Sequence, residues 1–264
     1  MVACSPGYAA PMGMDDLDLA IAAARAGAAV VRARFGADLD RVDKGGGDFA
    51  TAADLEAERA ILGLLREHRP GDAVTGEESG ASGPAGAGRT WLVDPLCGTL
   101  NFAAGTMIVA VNVALRDGDR VTAAAVADPF ADAVYSTGGP LAPSAATTLV
   151  DLNLDPPLPN APAFLAARLL AEPGFAARFR PRVATSTLAL AWVAAGRRAA
   201  YVTDGDLRGS VHFAAGIALC EAAGCVVTNL RGGPVHTGAG GLVAAADAAT
   251  HEALLALVAL QFDR

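Results

Sequence analysis

The chain has 264 residues, of which 53% are hydrophobic and 18% are charged, and its formal net charge is -8 at pH 7. This length allows one large domain or two small ones with a substantial buried core. The acidic balance argues against nucleic acid or an anionic membrane as the main partner, because both bind basic surfaces, and it favours a small ligand.

The cysteines and the apolar segments bear on the compartment of the protein. Cys4, Cys97, Cys220 and Cys225 match no zinc-binding spacing, and no stretch resembles a secretory signal. No window of about 18 residues is apolar enough to require a bilayer. We therefore expect a reduced, cytoplasmic protein.

The first half of the chain predicts two helices followed by a sheet. Apolar spacing predicts an amphipathic helix from Asp15 to Phe35, and Thr51 is typical of the N-cap of a second helix that ends near His68. The glycine-rich segment 80–88 is predicted to be a loop. Apolar runs predict successive strands at 91–93, 108–115, 121–126 and 133–135.

The second half predicts alternating helices and strands. Its predicted helices lie at 163–170, 186–196, 210–223 and 248–261, and its predicted strands at 200–202, 225–228 and 241–245. Such alternation is typical of an α/β layered structure. The proline-rich segment 138–162 is the expected boundary, which gives a flexible arm over 1–14, an N-terminal half over 15–140 and a C-terminal half over 141–264.

The loop after the strand at 91–93 carries the most informative residues, in the order Asp-Pro-Leu-Cys-Gly-Thr from Asp94 to Thr99. Pro95 keeps the preceding acid extended, and Gly98 and Thr99 are predicted to open a helix. The N–H groups of a first helical turn can bind a phosphate, while Asp94 can hold a metal beside it. The pattern therefore predicts that Gly98 and Thr99 bind phosphate.

Other motifs accompany this loop in a fixed order. They are Asp43-Lys44 with Asp48, Thr51 and Asp54, then Gly76-Glu77-Glu78, then the Asp94 loop ending in Asn101-Phe102, and finally Val211-His212-Phe-Ala-Ala-Gly216. Together they resemble the inositol monophosphatase family. The resemblance implies a layered αβαβα sandwich, a homodimer, and hydrolysis of a small phosphorylated sugar, cyclitol or related metabolite.

The resemblance also implies a magnesium site and a pair of residues that activate water. By match to the family, Glu77, Asp94 and the backbone carbonyl of Leu96 hold one Mg²⁺, which prefers oxygen ligands and keeps bound waters. Thr99 and Asp48 match the family pair that orients and deprotonates a water, and Glu77 assists them.

The second metal position of the family is altered in this sequence. Its carboxylates correspond to Asp94, Cys97 and His212, so that a thiol and an imidazole replace two acids. Both are poor ligands for magnesium, whereas Zn²⁺ or Fe²⁺ would accept them. The alternatives left open are a softer metal, His212 as an acid or base, and two inert residues in an abandoned site. A nucleophilic Cys97 has less support, because no second histidine–acid pair is visible near it in the sequence.

The leading hypothesis is a phosphatase with one magnesium in which His212 protonates the leaving oxygen. The alternatives are a biosynthetic enzyme that eliminates phosphate on the same fold, and an inactive ligand-binding pseudophosphatase. Thr203 follows Tyr201-Val202, where the family often has an acid, and Thr185 stands where the family has a glycine. We therefore expect a substrate other than ordinary inositol phosphate.

Overall fold

The structure is a computed structural model that describes residues 13–37, 41–45, 48–205, 207, 209–235 and 240–262, with the backbone alone for 41–45 and 48. Nearly all of the arm predicted over 1–14 lies outside the described residues, and so does the side chain of Asp48. Within the described ranges, no helix combines the length and the apolar character needed to cross a membrane.

The helices of the described chain pack against two sheets. Their bounds are α1 (Asp16–Arg34), α2 (Ala52–His68), α3 (Thr99–Ala103), α4 (Ala166–Leu169), α5 (Pro173–Arg178), α6 (Leu188–Ala194), α7 (Ala214–Ala222) and α8 (Ala248–Phe262).

In the described ranges, the strands form one small hairpin and two larger sheets. Their bounds are β1 (Arg41–Gly45), β2 (Asp48–Thr51), β3 (Ala73–Gly76), β4 (Gly80–Ser82), β5 (Arg89–Cys97), β6 (Ala110–Asp117), β7 (Arg120–Asp128), β8 (Ala133–Ser136), β9 (Leu149–Leu152), β10 (Arg180–Val183), β11 (Ala200–Thr203), β12 (Val226–Thr228) and β13 (Leu242–Ala245). The first large sheet has the order β4-β3-β5-β6-β7-β8, and the second has the order β10-β9-β11-β13-β12. In the first sheet only β3 and β5 run parallel.

The described elements stack in five layers around three hydrophobic cores. Helices α1 and α2 cover one face of the first sheet. Helices α6 and α7 lie between the two sheets, where Leu190 and Leu219 pack with Tyr201 of the second sheet. Helices α4, α5 and α8 cover the outer face of the second sheet. This is the predicted αβαβα sandwich, in which each apolar helix face is buried against a sheet.

The two helices predicted in the first half are confirmed, and their caps explain where they begin. The Asp15 carboxylate accepts a hydrogen bond from the N–H of Asp18 (2.8 Å), which starts α1. Helix α2 begins at a capping box in which Thr51 accepts from the N–H of Ala53 and Asp54 accepts from the N–H of Thr51 (2.8 Å). Such caps satisfy N–H groups that a helix leaves unpaired.

The predicted linker over 138–162 contains an interior strand, which the sequence interpretation missed. Strand β9 lies inside the second sheet, parallel to both β10 and β11. Its four residues include Val150, Asp151 and Leu152, all buried. A short strand buried on both faces has no alternating polar pattern, so the prolines and small residues around it dominated the prediction.

Some predicted bounds are also wrong. The helix predicted over 210–223 starts only at Ala214, so His212 lies in the turn before it. The helix predicted over 163–170 is reduced to Ala166–Leu169, and the predicted loop 80–88 contains the short edge strand β4. Strand β10 and helix α5 were not predicted. Short elements depend on tertiary packing more than on local pattern, which explains these errors.

Candidate active site

An irregularity in β5 brings Asp94 and Cys97 to the same side of the first sheet. The pairing of β5 with β6 shifts register between these two residues, where Pro95 supplies no N–H. In a regular strand, residues three positions apart point to opposite faces. Here the carboxylate of Asp94, the sulfur of Cys97 and a ring nitrogen of His212 all lie within 4.8 Å of one another.

Asp94 is fully buried and held by three neighbours. Its Oδ1 accepts from the N–H of Leu96 (3.1 Å), and its Oδ2 lies 2.7 Å from Nδ1 of His212 and accepts from Nδ2 of Asn112 (3.3 Å). Burial alone raises the pKa of Asp94, but the charge and hydrogen bond of His212, with contacts from Glu77 and Asn112, bring it below its usual value. The carboxylate is therefore ionised and suited to hold a cation.

Glu77 reaches the same site from the turn after β3. Its N–H donates to the carbonyl of Val93 in β5 (3.0 Å). This bond fixes the turn beside β5, because Val93 is the residue that precedes Asp94. The side chain of Glu77 is 16% exposed, and its Oε2 lies 3.9 Å from Nδ1 of His212. The structure thus brings together the two carboxylates predicted to hold the first magnesium. Leu96, the third predicted ligand, lines the same cavity.

Thr99 is paired with Asp54, an acid to which the sequence interpretation gave no site role. The Thr99 hydroxyl donates to Oδ1 of Asp54 (3.0 Å) and lies 3.2 Å from the Leu96 carbonyl. Burial raises the pKa of Asp54, and its hydrogen bonds with Thr51 and Thr99 reduce that increase. The predicted partner, Asp48, cannot be compared, because its side chain lies outside the described residues.

The sequence indicates Asp54 only as a helix-capping residue. It is the third residue of α2, where an acid normally completes a capping box with the N-cap residue. Its second oxygen makes that bond with Thr51, which leaves Oδ1 for Thr99. A local cap and a long-range contact share one carboxylate, and only the local role is visible in the sequence.

Cys97 is surrounded by the segment that precedes α6. Its Sγ accepts from the N–H of Thr187 (3.3 Å), and its carbonyl accepts from the Ser186 hydroxyl (3.0 Å). Burial and the negative charges of Asp94 and Glu77 raise the pKa of the Cys97 thiol well above its usual value, against a smaller lowering by Thr187. A thiol that stays protonated is a weak nucleophile.

His212 projects from the turn before α7 to the wall of the cavity. Its side chain is 43% exposed, which places it at the boundary between buried Asp94 and solvent. Opposite an ionised carboxylate, Nδ1 is the ring nitrogen that carries hydrogen and donates to Asp94. The arrangement orients the imidazole in the same way that an acid orients a catalytic histidine.

Gly98 allows the chain to turn from β5 into α3. Its φ of +108° is costly for other residues, and a Cβ at this position would lie 2.9 Å from the Ile108 carbonyl. No side chain caps this helix end. Gly98 and Thr99, the two residues predicted to bind a phosphate, both line the cavity.

A cavity of about 580 Å³ lies between the two sheets and is lined by Glu77, Leu96, Cys97, Gly98, Thr99 and His212. The cavity is also lined by Asn153, Thr185, Tyr201 and Thr203, and by the acids Asp155 and Asp204. Burial raises the pKa of Tyr201, whose hydroxyl contacts the side chains of Thr203 and Asn153. This volume is typical of a site for a small molecule.

The five-layered sandwich, with a carboxylate near the end of each of two neighbouring strands and a cavity between its sheets, places the protein in the class of layered α/β proteins. Within that class, a family model described as the inositol monophosphatase family matches residues 14–139 and 155–261. The chain belongs to the inositol monophosphatase family. This confirms the predicted family and fold class.

Relatives of known sequence and structure agree with this assignment. The inositol-1-monophosphatase ImpA of Mycolicibacterium smegmatis is 33% identical over 249 residues, covering 82% of each chain. The inositol-1-monophosphatase of Mycobacterium leprae is 33% identical and covers 87% of this chain and 88% of its own. The crystal structure of the extragenic suppressor protein suhB from Bartonella henselae has a TM-score of 0.80 at 26% identity, covering 91% of this chain and 97% of its own.

Proposed function

We propose that the protein hydrolyses the phosphate ester of a small hydroxylated metabolite with one magnesium ion, at a site whose second metal position has changed. The observation that carries the proposal is that Glu77, Thr99 and His212 line one cavity between the sheets, while the buried Asp94 contacts both Glu77 and His212. The named activity of the relatives supports the phosphatase chemistry.

The chemistry of the donor set fits the first magnesium. Glu77 and Asp94 are acids in contact with each other; Glu77 lines the cavity together with Leu96, and Asp94 is fully buried beside them. Oxygen donors of this kind are what Mg²⁺ requires. When bound, the ion would polarise the phosphate and lower the pKa of a bound water. Glu77, Asp94 and the carbonyl of Leu96 are the residues we assign to hold it.

Thr99 and Asp54 are suited to orient the attacking water. The Thr99 hydroxyl gives its hydrogen to Asp54, so its lone pairs remain available to accept a hydrogen bond from water. The raised pKa of Asp54 makes this carboxylate a better base than an exposed aspartate. Asp48 stays the predicted partner from the family resemblance, and Asp54 is a further acid at the same hydroxyl.

The second position does not fit magnesium. Cys97 offers a protonated thiol and His212 an imidazole, and neither is a hard oxygen ligand. Loss of two carboxylates together with one divalent cation leaves the local charge nearly unchanged. A phosphate can therefore still bind, but the leaving alkoxide loses the cation that would stabilise it.

His212 is the residue we assign to this lost role. Its contact with Asp94 (2.7 Å) fixes the ring at the cavity wall, where it can hold a proton for the leaving oxygen. Transfer of that proton avoids the release of an unprotonated alkoxide, a poor leaving group. Inert filling of an abandoned site gives no reason for this short contact to a buried carboxylate.

A softer metal at Asp94, Cys97 and His212 is the second candidate for the same role. It is favoured by the approach of their three donor atoms to within 4.8 Å of one another. A thiolate, an imidazole and a carboxylate suit Zn²⁺ or Fe²⁺, and such an ion would displace the thiol proton. Both candidates stabilise the leaving oxygen, but only this one requires a transition metal.

The cavity wall indicates the substrate class. Asn153 and Thr185 offer neutral donors and acceptors to a polyol, and the uncapped first turn of α3 offers N–H groups to the phosphate. Thr185 and Thr203 differ from the residues that the family usually has there, so we propose a substrate other than inositol phosphate.

Phosphate release from a panel of sugar, cyclitol and nucleotide phosphates tests this function. We expect release from at least one small sugar or cyclitol phosphate with Mg²⁺, complete loss with a chelator, and loss in Thr99→Val, which keeps the shape of threonine without its hydroxyl. Binding by calorimetry without release under Mg²⁺, Mn²⁺ or Zn²⁺ would contradict hydrolysis and would favour elimination or a pseudophosphatase.

A further inference from the structure

Glu58 is a buried acid outside the cavity that contacts the turn carrying Glu77. It follows Asp54 by four residues on α2, so both acids lie on one face of that helix. Only 3% of Glu58 and none of Asp54 is exposed. A buried carboxylate is costly unless it accepts hydrogen bonds, so its partners reveal its role.

Both oxygens of Glu58 accept hydrogen bonds from the turn that follows Glu77. The N–H of Glu78 donates to Oε2 and the N–H of Ser79 donates to Oε1, each at 2.8 Å. On the other side, the N–H of Glu77 donates to Val93 in β5. The backbone of Glu77 is therefore fixed between a strand and a helix.

Gly76 makes this approach sterically possible. A Cβ at this position would lie 2.6 Å from Oε2 and 2.7 Å from Cδ of Glu58, closer than real Cβ atoms come to other heavy atoms. The Glu58 carboxylate therefore occupies the space that a side chain at position 76 would need, and only glycine allows this contact.

We infer that Glu58 is a positioning residue, which holds the turn so that the Glu77 carboxylate meets Asp94. The inference rests on the proposed function only in naming Glu77 as a metal ligand. Four residues earlier on the same helix, Asp54 receives the Thr99 hydroxyl. One rigid face of α2 therefore sets the distance between the metal ligand and the water-orienting hydroxyl, as preorganised sites require.

Binding of Mn²⁺ to the substrate-free protein tests the inference without relying on activity. Glu58→Gln keeps the shape and one acceptor oxygen, but it turns the other oxygen into an NH₂ group that faces an N–H. We expect Mn²⁺ to bind about 10- to 100-fold more weakly, the range typical when an outer partner of a metal ligand is lost. At saturating Mn²⁺ kcat should still fall, because Glu77 is no longer held in place. The KM for substrate should change little, because Glu58 does not touch the cavity.

Glu56→Gln is the matched control. Glu56 lies two residues away on the same helix, and its carboxylate pairs instead with Arg34 at the surface (2.6 Å). This variant should bind Mn²⁺ as the wild type does. Equal weakening in both glutamine variants would overturn the inference, because it would indicate a general effect of charge on α2.

Glu77→Gln separates the two proposals. If it weakens Mn²⁺ binding and Glu58→Gln does not, the positioning role is wrong and the metal site stands; if neither changes binding, the metal assignment itself fails. Hydrogen exchange of the wild-type protein needs no variant. Slow exchange of the Glu78 and Ser79 amides supports the contact, and exchange as fast as in an open loop would overturn it even if Glu58→Gln does not fold.

Discussion

Replacing Asp94 with asparagine is expected to lower kcat by about 1,000-fold, the largest effect of any single change in the protein. Asp94 lies at the centre of the site, since Glu77, His212 and Asn112 all contact it and it has no exposed surface. A metal-stabilised transition state is worth several kcal/mol, and about 1.4 kcal/mol corresponds to a factor of ten. Initial rates at saturating Mg²⁺ measure the effect.

Asp128→Asn controls for the loss of a buried acid in the same sheet. Asp128 is 7% exposed, and its Oδ1 accepts from the N–H groups of Phe130 and Ala131, away from the cavity. The activity of the Asp128→Asn variant should match that of the wild-type protein. An Asp94→Asn variant with a normal melting temperature and undiminished phosphate release would refute the assignment of Asp94 as a metal ligand.

Replacing His212 with alanine is expected to lower the rate by about 100-fold or more on alkyl phosphates, the range typical of a lost general acid. The loss should be much smaller on p-nitrophenyl phosphate, because its acidic leaving group departs without a proton. The ratio of the two losses measures how far His212 stabilises the leaving oxygen. His68→Ala, at the end of α2 and outside the site, should affect neither substrate.

Removal and re-addition of metals separate the proton donor from a softer metal. If Zn²⁺ or Fe²⁺ binds Asp94, Cys97 and His212, the wild-type protein should be inactive in Mg²⁺ alone after chelation and should regain activity when the second metal is added. A wild-type protein fully active with Mg²⁺ alone would exclude that candidate. Equal losses of His212→Ala on both substrates would exclude the proton donor.

The motifs predicted the chemical centre better than they predicted the surrounding structure. The order of the motifs placed Glu77, Asp94, Cys97 and His212 at one site, and the structure brings them together. Each of these residues belongs to a motif with an unusual local pattern. The long amphipathic helices and capped starts were predicted for the same reason.

What the sequence could not reveal depends on contacts between distant segments. The role of Asp54 at Thr99 spans 45 positions, and that of Glu58 at Ser79 spans 21. Nothing in a local window distinguishes these acids from ordinary helix caps or solvated residues. Strand β9 was missed because it is defined by its neighbours in the sheet. The division into halves and the homodimer stay predictions.

Counting the Mn²⁺ ions bound per chain tests the central claim most directly, namely that one hard metal site is kept and the second has been altered by Cys97 and His212. The wild-type protein should bind one Mn²⁺ per chain, and Cys97→Asp combined with His212→Asp should bind two, because it restores oxygen ligands to the second position. A wild-type protein that binds two Mn²⁺ ions, or none, would contradict the account.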